Sequence, residues 1–275
     1  MILEFDRNKI SAVYEMLDAE AYPESHMFLS SVLDDEYEDE FDLYRIAGEL
    51  VQADKPRVLP QFMIDFISEL YLECIEHGDE NAMNDLGAQY YDGSRGFEQS
   101  FEKAVYYYNM AAEHGSRQAQ ENLGYCYYYG RTGVVDYEKA FHYFALGAFD
   151  GHLISLYKIG DMYAAGYYVK KNEVEAFHIY EHCINTMTDE AAPHVAGPVF
   201  LRLGKCFLYG IGTEKNAESA LVCYQKAELY LYDMVKGGDV MYKKSLRGAI
   251  EGQAKAREIL MHELTEKQWL DGKRD

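Results

Sequence analysis

Four stretches of this chain spell one pattern, and that repetition limits the folds open to it more than any other feature. Ala82–Gly93, Ala119–Gly130, Ser155–Gly166 and Val199–Gly210 each run from a small or β-branched residue to an apolar residue and a glycine, then an aromatic, then a closing glycine. They read Leu86-Gly87, Tyr90, Gly93; Leu123-Gly124, Tyr127, Gly130; Ile159-Gly160, Tyr163, Gly166; and Leu203-Gly204, Phe207, Gly210. The inner glycines lie 37, 36 and 44 residues apart. A period of this size means stacked supersecondary units, each leaning on its neighbours, and not one globular core.

The apolar marks at i, i+4 and i+8 make the first half of each unit one stripe of a helix. Glycine inside a helix costs about 1 kcal/mol against alanine, so four inner glycines at one register imply close approach of a neighbouring helix. The closing glycines Gly93, Gly130, Gly166 and Gly210 sit where a helix stops and can take positive φ there. The second half opens on Ser100, Asp136, Asn172 and Asn216, all residue types that accept a free backbone N–H at a helix N-cap. Glu102, Glu138 and Glu218 follow in the first turn, where the helix dipole favours negative charge. Ala104, Ala140, Ala176 and Ala220 come next, then Tyr108, Phe144, Tyr180 and Tyr224, and then the small residues Ala111, Gly147, Cys183 and Ala227. Each unit is therefore helix–loop–helix, with small residues at the crossings and aromatic rings filling the gaps.

These residues resemble the Sel1-like repeat, a relative of the tetratricopeptide repeat, over about half of the chain. The clear repeats are 82–115, 119–151, 155–184 and 199–228. The first carries a two-residue loop insertion, and the third has lost alanine at its first position. The resemblance implies an all-α fold, an α-α superhelix of helix pairs with helical end caps. It also implies a protein-interaction scaffold or adaptor that performs no catalysis and needs no cofactor or metal. Residues 1–60 are expected to form an N-terminal helical cap with the start of a degenerate repeat, 61–236 the solenoid, and 237–275 a C-terminal capping helix. Leu43–Ala53 and Phe62–Gly78 are the expected halves of the degenerate repeat, Ile10, Val13, Tyr14 and Leu17 mark one helix face, and Thr186–Pro198 is an insertion. Pro193, Gly197 and Pro198 predict a loop or a short broken helix in that insertion.

The bulk properties exclude several classes of function. The net charge of −21 repels phosphate backbones, so nucleic acid is not an expected partner. No run of about 18 apolar residues predicts a membrane-spanning helix, and Met1-Ile2-Leu3-Glu4 does not open a secretory signal, so a cytoplasmic location is the default expectation. Cys74, Cys126, Cys183, Cys206 and Cys223 are odd in number and include no C-x2-C pair, which fits reduced packing residues. The histidines His77 and His114, and His142 and His178, recur with the repeat, as packing or surface residues do. No phosphate-loop, zinc-protease or nucleophile-elbow motif occurs. An enzymatic reading would need an acid–base pair such as Glu121 with Asp161.

The resemblance places the first helix of each unit on the concave side, with its third, seventh and tenth positions opposite the apolar stripe. Among the residues there, Asn84, Tyr91, Glu121, Tyr125, Tyr128, Tyr157, Asp161 and Lys205 are the expected groove for a protein or peptide partner. Tyrosine offers large contact area at low entropy cost. The chain itself is expected to be a monomer or weak dimer. The dense acidic run 34–42 and the net charge raise an alternative, an acidic decoy or immunity-type protein that neutralises a basic toxin or nuclease.

Overall fold

The structure, a computed structural model, describes residues 7–33, 42–55, 57–188 and 192–271. The acidic run 34–42 lies outside them except for Asp42. Among the described residues every regular element is helical. The chain divides into two compact units, Met1–Asp136 and Tyr137–Asp275, and the division falls inside the second clear repeat.

The first unit holds α1 (Arg7–Met16), α2 (Pro23–Leu33), α3 (Leu43–Gln52), α4 (Gln61–Glu76), α5 (Glu80–Asp92), α6 (Phe101–Glu113) and α7 (Arg117–Tyr128). Consecutive helices pack on one another, and Leu29, Leu50, Met63, Ile67, Leu70 and Leu86 are fully buried between them. The second unit holds α8 (Tyr137–Phe149), α9 (Leu153–Ala165), α10 (Glu173–Thr186), α11 (Ala192–Tyr209), α12 (Ala217–Lys236) and α13 (Lys243–Asp271), the last preceded by a 3-10 turn, Val240–Tyr242. Here too neighbours pack in sequence, and first helices touch first helices, α9 on α11 and α11 on α13.

Three of the four inner glycines are seen to do what their register predicts. A Cβ on Gly87 would meet the Tyr108 ring at 2.9 Å, one on Gly160 the Tyr180 ring at 2.7 Å, and one on Gly204 the Tyr224 ring at 2.9 Å. Each of these rings belongs to the second helix of the same repeat and is almost wholly buried. The bare glycine backbone is thus the seat on which the ring lies, and packing gained there exceeds the helix propensity lost. Tyr224 is seated twice, because Gly252 of α13 also lies against its ring.

The turns repeat as faithfully. Gly93, Gly130, Gly166 and Gly210 all have φ between 59° and 74°. Ser100, Asn172 and Asn216 cap α6, α10 and α12 through their side-chain oxygens. The residue at this register also donates its own N–H back to the carbonyl of the ninth-position aromatic: Ser100 to Tyr90 (2.8 Å), Asp136 to Tyr127 (3.0 Å), Asn172 to Tyr163 (2.9 Å) and Asn216 to Phe207 (2.9 Å). One residue therefore closes the loop with its backbone and opens the next helix.

One segment departs from the sequence expectations. The second half of the insertion is neither loop nor broken helix. From residue 192 it extends α11, which continues through Pro198. Proline lacks the N–H that residue 194 would accept, and the extension survives because Val195, Ala196 and Val199 are buried. The N-terminus of α2 is capped from a distance. The Asp54 carboxylate accepts the N–H groups of Glu24 (3.0 Å) and Ser25 (2.9 Å), and the Glu24 carboxylate accepts the N–H of Asp54 (2.9 Å). Burial works to raise the Asp54 pKa, yet these bonds hold it below the ordinary carboxylate value. Asp54 takes φ +53° to make this reach.

Burial raises the pKa of all five thiols, to about 11 for Cys74, Cys206 and Cys223 and about 12 for Cys126 and Cys183. They are packing groups with almost no thiolate at neutral pH.

Gly→Ala substitutions should give opposite signs at two kinds of site. Gly204→Ala should destabilise by about 1–3 kcal/mol through the clash with Tyr224. Gly48→Ala, in α3 with nothing within 4 Å of its Cβ, should stabilise by about 1 kcal/mol. Denaturant melts of the two variants check this. Asn216→Ala should cost about 1 kcal/mol in the same assay, through the lost cap.

Candidate docking face

Within each unit first helices are joined side to side by polar links, and residues of one register take part in them. Asp85, Asn122, Lys158 and Arg202 all stand at the fourth position of their repeats. In the first unit the Tyr44 hydroxyl of α3 donates to Asp85 Oδ2 of α5 at 2.8 Å, Asn84 Nδ2 donates to Asp85 Oδ1 at 3.0 Å, and Asn122 Nδ2 of α7 donates to Asn84 Oδ1 at 3.0 Å. This chain of bonds ties α3, α5 and α7 into one layer. Burial and the Asp85 carboxylate raise the Tyr44 pKa, so Tyr44 stays a donor at any physiological pH.

In the second unit the link is ionic. Arg202 of α11 grips Asp161 of α9 bidentately, Nε to Oδ1 and Nη2 to Oδ2, both at 2.5 Å. Its Nη1 donates to the Pro198 carbonyl at 2.8 Å, and its guanidinium carbon lies 4.7 Å from the Tyr157 ring centroid. Asp161 also accepts the Tyr180 hydroxyl at 2.8 Å, and Lys158 Nζ lies 3.9 Å from it. Burial opposes the charge on Asp161, but Arg202 and Lys158 outweigh it and hold the carboxyl below the ordinary range. Burial alone would lower the Arg202 pKa, and Asp161 reverses that as well.

The third-position residues are all buried: Asn84, Glu121, Tyr157 and Leu201. They face neighbouring helices and shape the layer from inside. The seventh and tenth positions reach the surface more often. Tyr91 is half-buried against Phe101, at 5.3 Å between ring centroids, and the Arg131 guanidinium sits over Phe101 at 4.6 Å and over Tyr91 at 6.0 Å. Burial raises the Tyr91 pKa. Tyr125 and Tyr128 are half-buried and share Tyr129, parallel to Tyr125 at 6.2 Å and edge-on to Tyr128 at 5.0 Å. Tyr129 is 50% exposed. In the second unit Asp161 is engaged by Arg202, and Lys205 is exposed. Glu121 and Asp161 fall in different units. Among the described residues no group of three or more His, Cys, Asp or Glu could hold a metal ion, and no helix is long and apolar enough to cross a membrane.

Asp85, Asn122, Arg202 and Tyr129 are absent from the expected groove. The first three share a register that the spacing contains, but their role depends on which neighbour they reach.

The family model for the Sel1 repeat matches residues 81–116, 117–152, 153–181 and 201–228. The chain is a Sel1-like repeat protein. Its fold is similar to the crystal structure of a Sel1 repeat protein from Oxalobacter formigenes, at TM-score 0.56 and 20% identity, over 82% of this chain and 84% of that one. It is also similar to c5321, described as a protective antigen present in uropathogenic Escherichia coli strains displaying an SLR fold, at TM-score 0.51 and 16% identity. That likeness covers 93% of this chain, which spans only 56% of the length of c5321. No curated protein matches the sequence. The fold class is an all-α repeat solenoid, and Sel1 repeats generally act as scaffolds for protein–protein contacts and are generally non-catalytic.

Arg202→Ala should destabilise by about 1–3 kcal/mol, because it leaves the half-buried Asp161 carboxylate with only the Tyr180 hydroxyl and Lys158 to compensate it. The pH dependence follows from the lowered Asp161 pKa. A carboxyl bound more tightly as its anion in the folded state stabilises the fold at every pH above the ordinary carboxylate range, and this is lost as pH falls through the folded value. Between about pH 5 and pH 2 the stability of Asp161→Asn should therefore fall less steeply than that of the native chain, read by urea melts at a series of pH values.

Proposed function

We propose that this Sel1-like protein is a non-catalytic adaptor that holds another protein against the first-helix face of its repeats. The observation that carries this reading is the cluster of Tyr125, Tyr128 and Tyr129 on and just after α7. Three rings meet there with part of their surface in water. Tyrosine clusters of this kind supply rigid, amphipathic contact area. In the first unit the docking residues are Tyr91, Tyr125 and Tyr128 with Tyr129, and the buried Asn84 and Glu121 hold the helices that present them. In the second unit Lys205 is the exposed contact, and Tyr157 and Asp161 position Arg202 and α11. A monomer and a cytoplasmic setting are the simplest context for such a scaffold.

A second reading is the acidic decoy, favoured by one observation. Residues 1–136 carry 28 acidic and 9 basic side chains, whereas residues 137–275 carry 19 and 17. Nearly all of the net negative charge therefore belongs to the first unit, where a basic toxin or nuclease would dock.

The test is affinity capture from native lysate with the intact chain as bait, followed by mass spectrometry. A double Tyr125→Ala, Tyr129→Ala variant should lose the captured partner with its melting temperature nearly unchanged, and capture should persist at high salt. Capture that is indifferent to the tyrosines but collapses as salt rises would favour the decoy. Capture indifferent to both would remove the docking face.

A further inference from the structure

In a chain of net charge −21 one surface has the opposite sign. α11 contains Arg202 and Lys205 and no carboxylate. The stretch 243–257 of α13 contains five cations and a single acid, Glu251. The two helices are packed together. A Cβ on Gly248 would lie 4.0 Å from Leu201, and Lys255 Nζ donates to the Tyr209 hydroxyl at 3.4 Å. Both contacts advance in the same direction along the chain, so α11 and α13 lie parallel, and Lys205 falls at the seam between them. Lys205, Lys244 and Arg247 are exposed and pair with no carboxylate among the described residues. Lys205 titrates below an ordinary lysine, from burial first and then from Arg202, with Lys244 also contributing. The Asp161 carboxylate works to raise it, but that carboxylate is already gripped by Arg202.

We propose that α11 and the first half of α13 form a docking surface for a short acidic segment of a partner protein. This rests on the adaptor reading and gives its second unit a partner chemistry. The patch sets the size of the ligand. Fifteen residues of helix span about 22 Å, which about seven residues of extended chain would cover. A longer polyanion would run off the patch into a molecule of the same sign. Because charges more than about 8 Å apart are largely screened at physiological salt, a short segment lying on the patch feels chiefly the local cations. These two facts favour an acidic protein segment over nucleic acid.

The test uses the full chain and a fluorescein-labelled heptaglutamate peptide, read by fluorescence anisotropy at low and moderate salt. Binding should be saturable and should weaken as salt rises. The triple variant Lys205→Glu, Lys244→Glu, Arg247→Glu should bind at least about tenfold more weakly. An equal charge change elsewhere, Lys170→Glu, Lys215→Glu, Lys236→Glu, should bind as the native chain does, with circular dichroism confirming both folds. No binding to the native chain, or equal loss in both triples, overturns the proposal. Tighter binding of a short oligothymidylate than of heptaglutamate also overturns it, in favour of a nucleic-acid surface. If heptaglutamate fails while the tyrosine variants still abolish partner capture, the charge assignment falls and the adaptor reading stands. If heptaglutamate binds while capture ignores the tyrosines, the reverse holds.

Discussion

The seating of an aromatic ring on a bare glycine backbone is the contact from which the rest of a repeat follows, and three of the repeats show it. Tyr108 on Gly87, Tyr180 on Gly160 and Tyr224 on Gly204 fix how closely the two helices of a pair approach and at which residue they cross. Once that crossing is set, the loop must return over a fixed distance. The four backbone bonds from the cap residue to the ninth-position carbonyl are the outcome. A methyl group at the glycine would push the ring away and unsettle the loop with it.

Pairing within a repeat leaves open how successive first helices register, and polar chemistry settles that. A hydrogen-bonded chain through Tyr44, Asp85, Asn84 and Asn122 does so in the first unit, and the Asp161–Arg202 pair does so in the second. Buried ion pairs seldom add much stability over a well-packed apolar pair. Directional bonds, however, reject a slip by one residue, which greasy contacts tolerate. The 44-residue spacing before α11 is where such a slip would be easiest, since the insertion loosens the repeat there. The bidentate Asp161–Arg202 pair is found at that point.

Most of the helix-pair architecture was legible in the sequence because it depends on local rules repeated four times. Glycine register, cap residues and closing glycines each announce themselves within a dozen residues. What was not legible is non-local. Nothing near Pro23 signals that Asp54, some thirty residues later, caps α2, and nothing in Pro193 or Pro198 signals that burial of Val195, Ala196 and Val199 carries helix through them. Of the expected docking residues, Tyr91, Tyr125, Tyr128 and Lys205 reach the surface at least in part. Asn84, Glu121 and Tyr157 do not. The third position turns toward the adjacent first helix, and the width of that adjacent contact cannot be read from one helix's own pattern.

The fourth-position links have a direction. In the three links that cross between helices the later repeat reaches back to fasten the earlier one: Asp85 to Tyr44, Asn122 to Asn84, Arg202 to Asp161. On the ribosome, where domains generally form from the N-terminus onward, each of these earlier helices would stay unlatched until its successor emerged. Assembly would then proceed like a zip drawn in the direction of synthesis, ending when Gly252 slides under the far side of Tyr224.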